Sequence, residues 1–265
     1  MTTATNVLPK RVREADLDGL RARLDALGLV FASEALPSVL TEAVKQEQSA
    51  PQFLEMLLEA EQTRREERRI RTALRLSGLP TGQTIANFDF AFQPSIERSR
   101  IEALATCSWI KEKQSLLILG PPGVGKTHLA IALGVRAVEC GFSVAFYRVE
   151  DLLYAMRKNA DRPPAQLKRA KYMKPSLVIV DEMGFEAFSR EEATLFFRLV
   201  SYRYGRGAMC ITSNKAISAW TEMLAGDEVI TSAVLDRLLH LSCVLNIKGR
   251  SYRLRELEET LRSRR

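Results

Sequence analysis

The octet Gly120-Pro-Pro-Gly-Val-Gly-Lys-Thr127 follows an apolar run at residues 116–119 and leads into a helical pattern. Those residue types in that order can hold a chain of phosphates. Gly120, Gly123 and Gly125 let successive backbone N–H groups turn inward, with Pro121, Pro122 and Val124 shaping the cradle between them. A helix starting near Lys126, with His128 next in line, adds the positive end of its dipole. Lys126 would reach the β- and γ-phosphates, and the Thr127 hydroxyl would ligate Mg²⁺.

A second constellation indicates what happens to the phosphates. Leu177-Val-Ile-Val-Asp181-Glu182 is an apolar strand that ends in two carboxylates. On a strand beside the one leading into the loop, Asp181 would hold the Mg²⁺ shell. Glu182 would then polarise a water toward the γ-phosphate. A kinase aligns an acceptor hydroxyl and needs no such glutamate, so hydrolysis of ATP to ADP and phosphate is the expected reaction. Ala208-Met-Cys-Ile-Thr-Ser-Asn214 is a third strand with a polar tip, and Asn214 could position the same water opposite Glu182.

The elements that must position these groups are legible from periodicity. Leu17, Leu20, Leu24 and Leu27 fall on one helical face, and Gly28 is placed to stop the helix. Leu36, Val39, Leu40, Ala43 and Val44 predict a second helix after Pro37. Phe53, Leu54, Leu57 and Leu58 predict a third, running into the mixed-charge stretch Glu61-Gln-Thr-Arg-Arg-Glu-Glu-Arg-Arg-Ile-Arg. That stretch suits either a solvated face of i,i+4 pairs or an anion contact. Leu79-Pro-Thr-Gly-Gln83 breaks the pattern and reads as a linker. Beyond it, β-rich runs at 116–119, 143–147, 177–180 and 209–212 alternate with helical stretches, as in an α/β parallel sheet with helices on both faces. The expected domains are therefore a small all-helical one at 1–80 and a nucleotide-binding one at 81–265.

Composition agrees with a globular protein: 46% hydrophobic and 27% charged residues. No run approaches the roughly 18 apolar residues of a membrane helix, and the N-terminus lacks the apolar core of a signal peptide, so a cytoplasmic protein is expected. Four scattered cysteines and two separated histidines suggest neither disulfides nor a zinc site. A net charge of +7 favours a polyanionic partner. Arg157, Lys158, Arg162, Lys168, Arg169, Lys171 and Lys174 concentrate that charge between the second and third strands. Lys168, Arg169 and Lys171, within one helical turn after Pro164, could track a phosphate backbone. The partner could be a nucleic acid or an acidic surface, and with no base-reading module in the sequence any nucleic-acid binding is expected to be largely sequence-nonspecific.

At these residues the chain resembles an AAA+ ATPase of the DnaA/DnaC branch. Asn87-Phe-Asp-Phe-Ala-Phe-Gln-Pro94, Leu235-Asp-Arg-Leu-Leu-His240 and Lys248-Gly-Arg-Ser-Tyr-Arg-Leu-Arg-Glu256 are similar to the IstB family, helper ATPases of insertion-sequence transposition. The resemblance, covering nearly the whole chain, implies an ATP-dependent homo-oligomer that binds target DNA and delivers it to a cognate transposase. It implies nucleotide sites shared between subunits, with Arg237 as the arginine finger. It also places Phe88 where related ATPases seat the adenine, and the basic segment where relatives face DNA. The chain ends too soon after Arg237 for a multi-helix lid, which leaves Arg253 as the candidate sensor-2 arginine. A DnaC-like helicase loader is the alternative in the same class, and a P-loop small-molecule kinase the alternative in another.

Overall fold

The computed structural model describes residues 14–255 apart from 161, 163–165, 167, 169 and 241. The chain divides into two compact units, 1–71 and 72–265. The division falls inside a long helix rather than at the expected linker.

The first unit holds α1 (Glu14–Ala26), α2 (Val30–Lys45) and most of α3 (Ala50–Ser77). Ala32, Leu36 and Leu57 are buried, with Leu17, Leu24, Leu29, Val39 and Phe53 packed around them. Gly28, at φ 74°, ends α1 as expected. Leu20 and Leu27 stay exposed, so the expected four-leucine stripe is only half used. The second helix does not wait for Pro37: α2 begins at Val30 and carries Pro37 inside it. Its first turn is completed from outside, since the Ala32 N–H donates to Glu61 Oε2 at 2.8 Å. Glu61 is buried and pairs with Arg65 at 2.7 Å, and Arg65 donates to the Gly28 carbonyl at 2.8 Å. Part of the mixed-charge run is thus a helix cap. Exposed pairs such as Arg69 with Glu66 make up the rest of its face.

The second unit continues through α4 (Arg98–Ala105) and α5 (Ser108–Lys111). Next come β1 (Ser115–Leu119), α6 (Lys126–Glu139), β2 (Val144–Arg148), α7 (Val149–Arg157) and β3 (Leu177–Met183). The chain proceeds to α8 (Arg190–Arg203), β4 (Ala208–Ser213), α9 (Trp220–Met223), α10 (Glu228–Leu239) and β5 (Ser242–Asn246). All five strands are parallel, in the order β2-β3-β4-β1-β5. Contrary to expectation, the strand carrying Asp181 is therefore not beside the strand that enters the loop. β4 lies between them, so its side chains bridge the two.

Alternation along each strand separates two buried faces. Leu117, Leu119, Val178, Val180, Met209 and Ile211 share one core with Leu152, Phe196, Leu199, Trp220 and Val234 from the helices. On the other face α6 packs against the sheet so closely that a Cβ on Gly134 would lie 2.7 Å from Ile179 and 2.9 Å from Leu79. Glycine in mid-helix costs about 1 kcal/mol in propensity, and this close approach is its reason. Leu79 is buried there, so the segment expected to be a free linker is fastened to the sheet. Among the described residues, no helix is long and apolar enough to cross a membrane.

Candidate nucleotide site

The loop between β1 and α6 leaves the carboxyl end of β1, next to the central strand β4. Its glycines have positive φ, 151° at Gly120, 80° at Gly123 and 95° at Gly125, a region L-residues with side chains rarely occupy. Each also meets a neighbour. A side chain at Gly120 would strike the Ile247 carbonyl, one at Gly123 the Ser251 side chain, and one at Gly125 the Phe88 ring. Gly125 is the N-cap of α6, so the first helical residues are Lys126, Thr127 and His128. Lys126 is buried and donates from Nζ to the Pro121 carbonyl at 2.8 Å. Burial pushes its pKa down; Asp181 and Glu182 oppose the shift, and Arg253 adds to it.

Asp181, at the carboxyl end of β3, is 2% exposed. Its Oδ1 accepts the Thr127 hydroxyl at 2.9 Å and the Thr212 hydroxyl at 2.5 Å. Thr212 also accepts the Glu182 N–H at 3.0 Å. Thr212 thus ties the aspartate to the backbone of the next residue, which is held at φ 63°. At this irregularity in β3 the half-buried Glu182 carboxylate comes within 3.7 Å of Arg148 Nε at the end of β2. Asn214 lies just past β4, with Oδ1 buried and without a hydrogen-bond partner. A Cβ on Gly184 would come within 2.9 Å of that oxygen. Two neighbouring strand ends therefore contribute these groups, β3 the two carboxylates and β4 the hydroxyl and the amide. Thr212 was not foreseen, because its role depends on β4 lying beside β3.

A cavity of about 480 Å³ opens on the loop. Gly123, Gly125, Lys126 and Thr127 form one side; Gln83, Asn87, Phe88, His128, Ile131, Tyr252 and Arg253 enclose the rest. Residues before the sheet and after β5 are stapled together to build this wall. Tyr252 donates its N–H to Gly123 O at 2.9 Å and its hydroxyl to Asp89 O at 2.6 Å. Gln93 donates to Arg250 O at 2.8 Å, and Ser95 accepts the Lys248 N–H at 3.0 Å. The segment after Ile247 thus forms part of the cavity wall, with Arg253 at the cavity. Phe88 lines the cavity but is buried edge-on against Phe90, His128 and Tyr252, so its ring also supports the loop.

The remaining expected residues lie elsewhere. Arg237, near the end of α10, donates to Ala233 O at 2.7 Å and stacks over Phe197 at 5.2 Å. It lines a small cavity with Ser115 and Met209, at the amino ends of β1 and β4. Five-residue strands span roughly 15 Å, so Arg237 is at the far end of the sheet from the loop. In the basic segment Arg162, Lys168, Lys171 and Lys174 are exposed, while Arg169 lies outside the described residues. The carboxyl end of the segment is anchored by buried Arg203, which donates to the carbonyls of Met173 at 3.2 Å, Pro175 at 3.0 Å and Ala208 at 2.7 Å. Burial lowers the Arg203 pKa to about 10.

Comparison with known proteins agrees with this geometry. The family model described as IstB-like ATP binding protein matches residues 22–260. The ATP-binding protein of insertion sequence IS21 from Pseudomonas aeruginosa is 42% identical over 239 residues, which cover 89% of each chain. Its counterpart in IS5376 of Geobacillus stearothermophilus is 42% identical over 208 residues, 78% of this chain and 82% of that one. The solved structure of DnaI shares the fold, with a TM-score of 0.52 at 20% identity over 67% of this chain and 94% of DnaI. The loop, the acidic strand end and the five-stranded parallel sheet form a P-loop nucleotide-binding fold, and the chain belongs to the IstB-like ATP binding protein family.

Proposed function

We propose that the protein hydrolyses ATP at sites shared between subunits, assembles on double-stranded DNA, and presents that DNA to the transposase of its insertion sequence. The observation that carries this reading is the Thr127–Asp181 contact at the mouth of the loop, with Glu182 one residue beyond it.

The donor set of a hydroxyl and a carboxylate suits a hard, oxygen-seeking cation, so Thr127 and Asp181 would hold Mg²⁺. Held there, such an ion would supply charge neutralisation at the phosphates. Lys126 exchanges the Pro121 carbonyl for phosphate oxygens. Glu182 leaves Arg148 and accepts a proton from water as that water's oxygen bonds to the γ-phosphorus; the bond to the β–γ bridging oxygen breaks and ADP departs. The unpartnered Asn214 oxygen is an acceptor placed to orient the same water. Arg237 cannot serve its own loop from the far end of the sheet, which supports its acting on a neighbour's γ-phosphate. The exposed cations between α7 and β3 supply a sequence-independent DNA contact. Nucleotide and DNA then favour assembly by mass action, and hydrolysis reverses it.

The test is complementation. Glu182→Gln and Arg237→Ala should each bind ATP but lose DNA-stimulated hydrolysis. Mixed together they should regain part of it, because an Arg237→Ala site can receive the arginine of a Glu182→Gln neighbour. A mixture as inactive as its components would refute the shared site. Co-purification with a hexameric helicase in place of the transposase would redirect the partner assignment.

A further inference from the structure

The wall of the nucleotide cavity contains an acceptor that nothing in the protein satisfies. Gln83 lines the cavity, and its amide oxygen is buried with no hydrogen-bond partner. A buried amide oxygen without a donor costs free energy, and such orphans at a cavity mark the place where a ligand completes the bonding.

The backbone around Gln83 is unusually well held for a loop. Asn87 Nδ2 donates to the Gly82 carbonyl at 2.6 Å, and Asn87 Oδ1 accepts the Thr84 N–H at 2.8 Å. The Asn87 N–H returns to the Thr84 hydroxyl at 3.2 Å. The Thr84 carbonyl accepts a bond from His128 Nε2 at 2.8 Å, which fixes the proton on that nitrogen. His128 immediately follows Thr127, so the position of Gln83 is set relative to the phosphate-binding residues themselves. The other cavity residues that are not part of the loop include Phe88, Ile131 and Tyr252, two aromatic rings and an aliphatic side chain. These apolar groups beside the fixed Gln83 amide, with Asn87, Asp89, His128 and Arg253 as the polar part of the lining, describe a slot for a flat heterocycle with a polar edge.

We propose that Gln83 reads the base of the nucleotide, accepting a hydrogen bond from the 6-amino group of adenine. This rests on the cavity being the nucleotide site. Guanine carries a carbonyl oxygen at the same position, which offers Gln83 Oε1 no donor, and unsubstituted purine carries nothing there. A site built around a polar group rejects ligands that leave that group unpaired.

The test is equilibrium competition, in the full-length protein, of ATP, GTP and purine riboside triphosphate against a fluorescent ATP analogue. The wild type should prefer ATP to purine riboside triphosphate by about tenfold, the effect of one otherwise unsatisfied buried acceptor. Gln83→Ala should bring the two within about twofold of each other. No protein group loses a partner to Gln83 Oε1 in that variant, so folding is preserved. Gln83→Glu, which keeps an acceptor, should retain the preference even where the added charge weakens every triphosphate. A wild type indifferent to the 6-amino group, or a Gln83→Ala protein that keeps the preference, would overturn the assignment while leaving the cavity a nucleotide site. ATP binding that is unchanged in Lys126→Ala would overturn the site and the base contact together.

Discussion

Replacing Thr212 by valine removes one hydroxyl and nearly preserves side-chain volume, at a position facing two of the groups proposed to act on ATP. The hydroxyl donates to Asp181 Oδ1 at 2.5 Å and accepts the Glu182 N–H at 3.0 Å. A bond to a charged acceptor is worth about 1.5–3 kcal/mol. The positive φ of Glu182 costs about 1–2 kcal/mol, and the N–H bond to Thr212 helps to hold it in place. If about 2 kcal/mol of this is forfeited where the carboxylate meets water, kcat falls about 30-fold. ATP affinity, set mainly by the loop backbone and Lys126, should change far less. The assay is steady-state phosphate release with saturating DNA, beside equilibrium nucleotide binding and urea unfolding. Thr212→Ser retains the hydroxyl and should restore most of kcat. Wild-type kcat in Thr212→Val, or an equal loss in Thr212→Ser, would refute the idea that this hydroxyl aligns the two carboxylates.

Three further outcomes follow from particular side chains. Gly134→Ala forces a methyl within 3 Å of Ile179 and Leu79, and should lower stability by about 1–3 kcal/mol in denaturant titration without changing kcat in the folded fraction. Arg203→Leu leaves the carbonyls of Met173, Pro175 and Ala208 without their donor and should cost about 3 kcal/mol; Arg203→Lys should not rescue it, because an ammonium lacks the planar fork. Neutralising Lys168, Lys171 and Lys174 should flatten the log–log salt dependence of DNA binding by about 0.9 for each phosphate no longer neutralised, with ATP binding intact. An unchanged salt slope would take this segment out of the DNA path.

The loop and the acidic strand end were legible because they are local. A glycine-rich octet after an apolar run and a carboxylate pair after another need no knowledge of the rest of the chain. What stayed hidden depends on which strands become neighbours. Nothing in Ile211-Thr212-Ser213 says that Thr212 will face Asp181; that follows only once β4 lies between β1 and β3. Ser242-Cys-Val-Leu-Asn246 escaped notice as a strand because it is short and only partly buried at the sheet edge. Leu79 to Gln83 read as a linker, since proline and glycine interrupt a helical pattern. Its burial against Gly134 and its place in the cavity wall come from long-range packing. Pro37 misled for a related reason, as Glu61 supplies a cap from another helix and the proline is accommodated within α2.

The placement of the loop and Arg237 at opposite ends of one sheet gives the nucleotide-binding unit a polarity. If Arg237 completes a neighbour's site, the interface joins two different surfaces, so an open row of subunits keeps a free head at one end and a free tail at the other. Such a chain either closes into a ring or grows as a helical filament. In the open form one terminal subunit always holds a nucleotide site with no arginine to complete it. An assembly of this kind would turn over ATP everywhere except at that end, and the direction in which it lengthens or shortens along DNA would be written into the orientation of a single subunit.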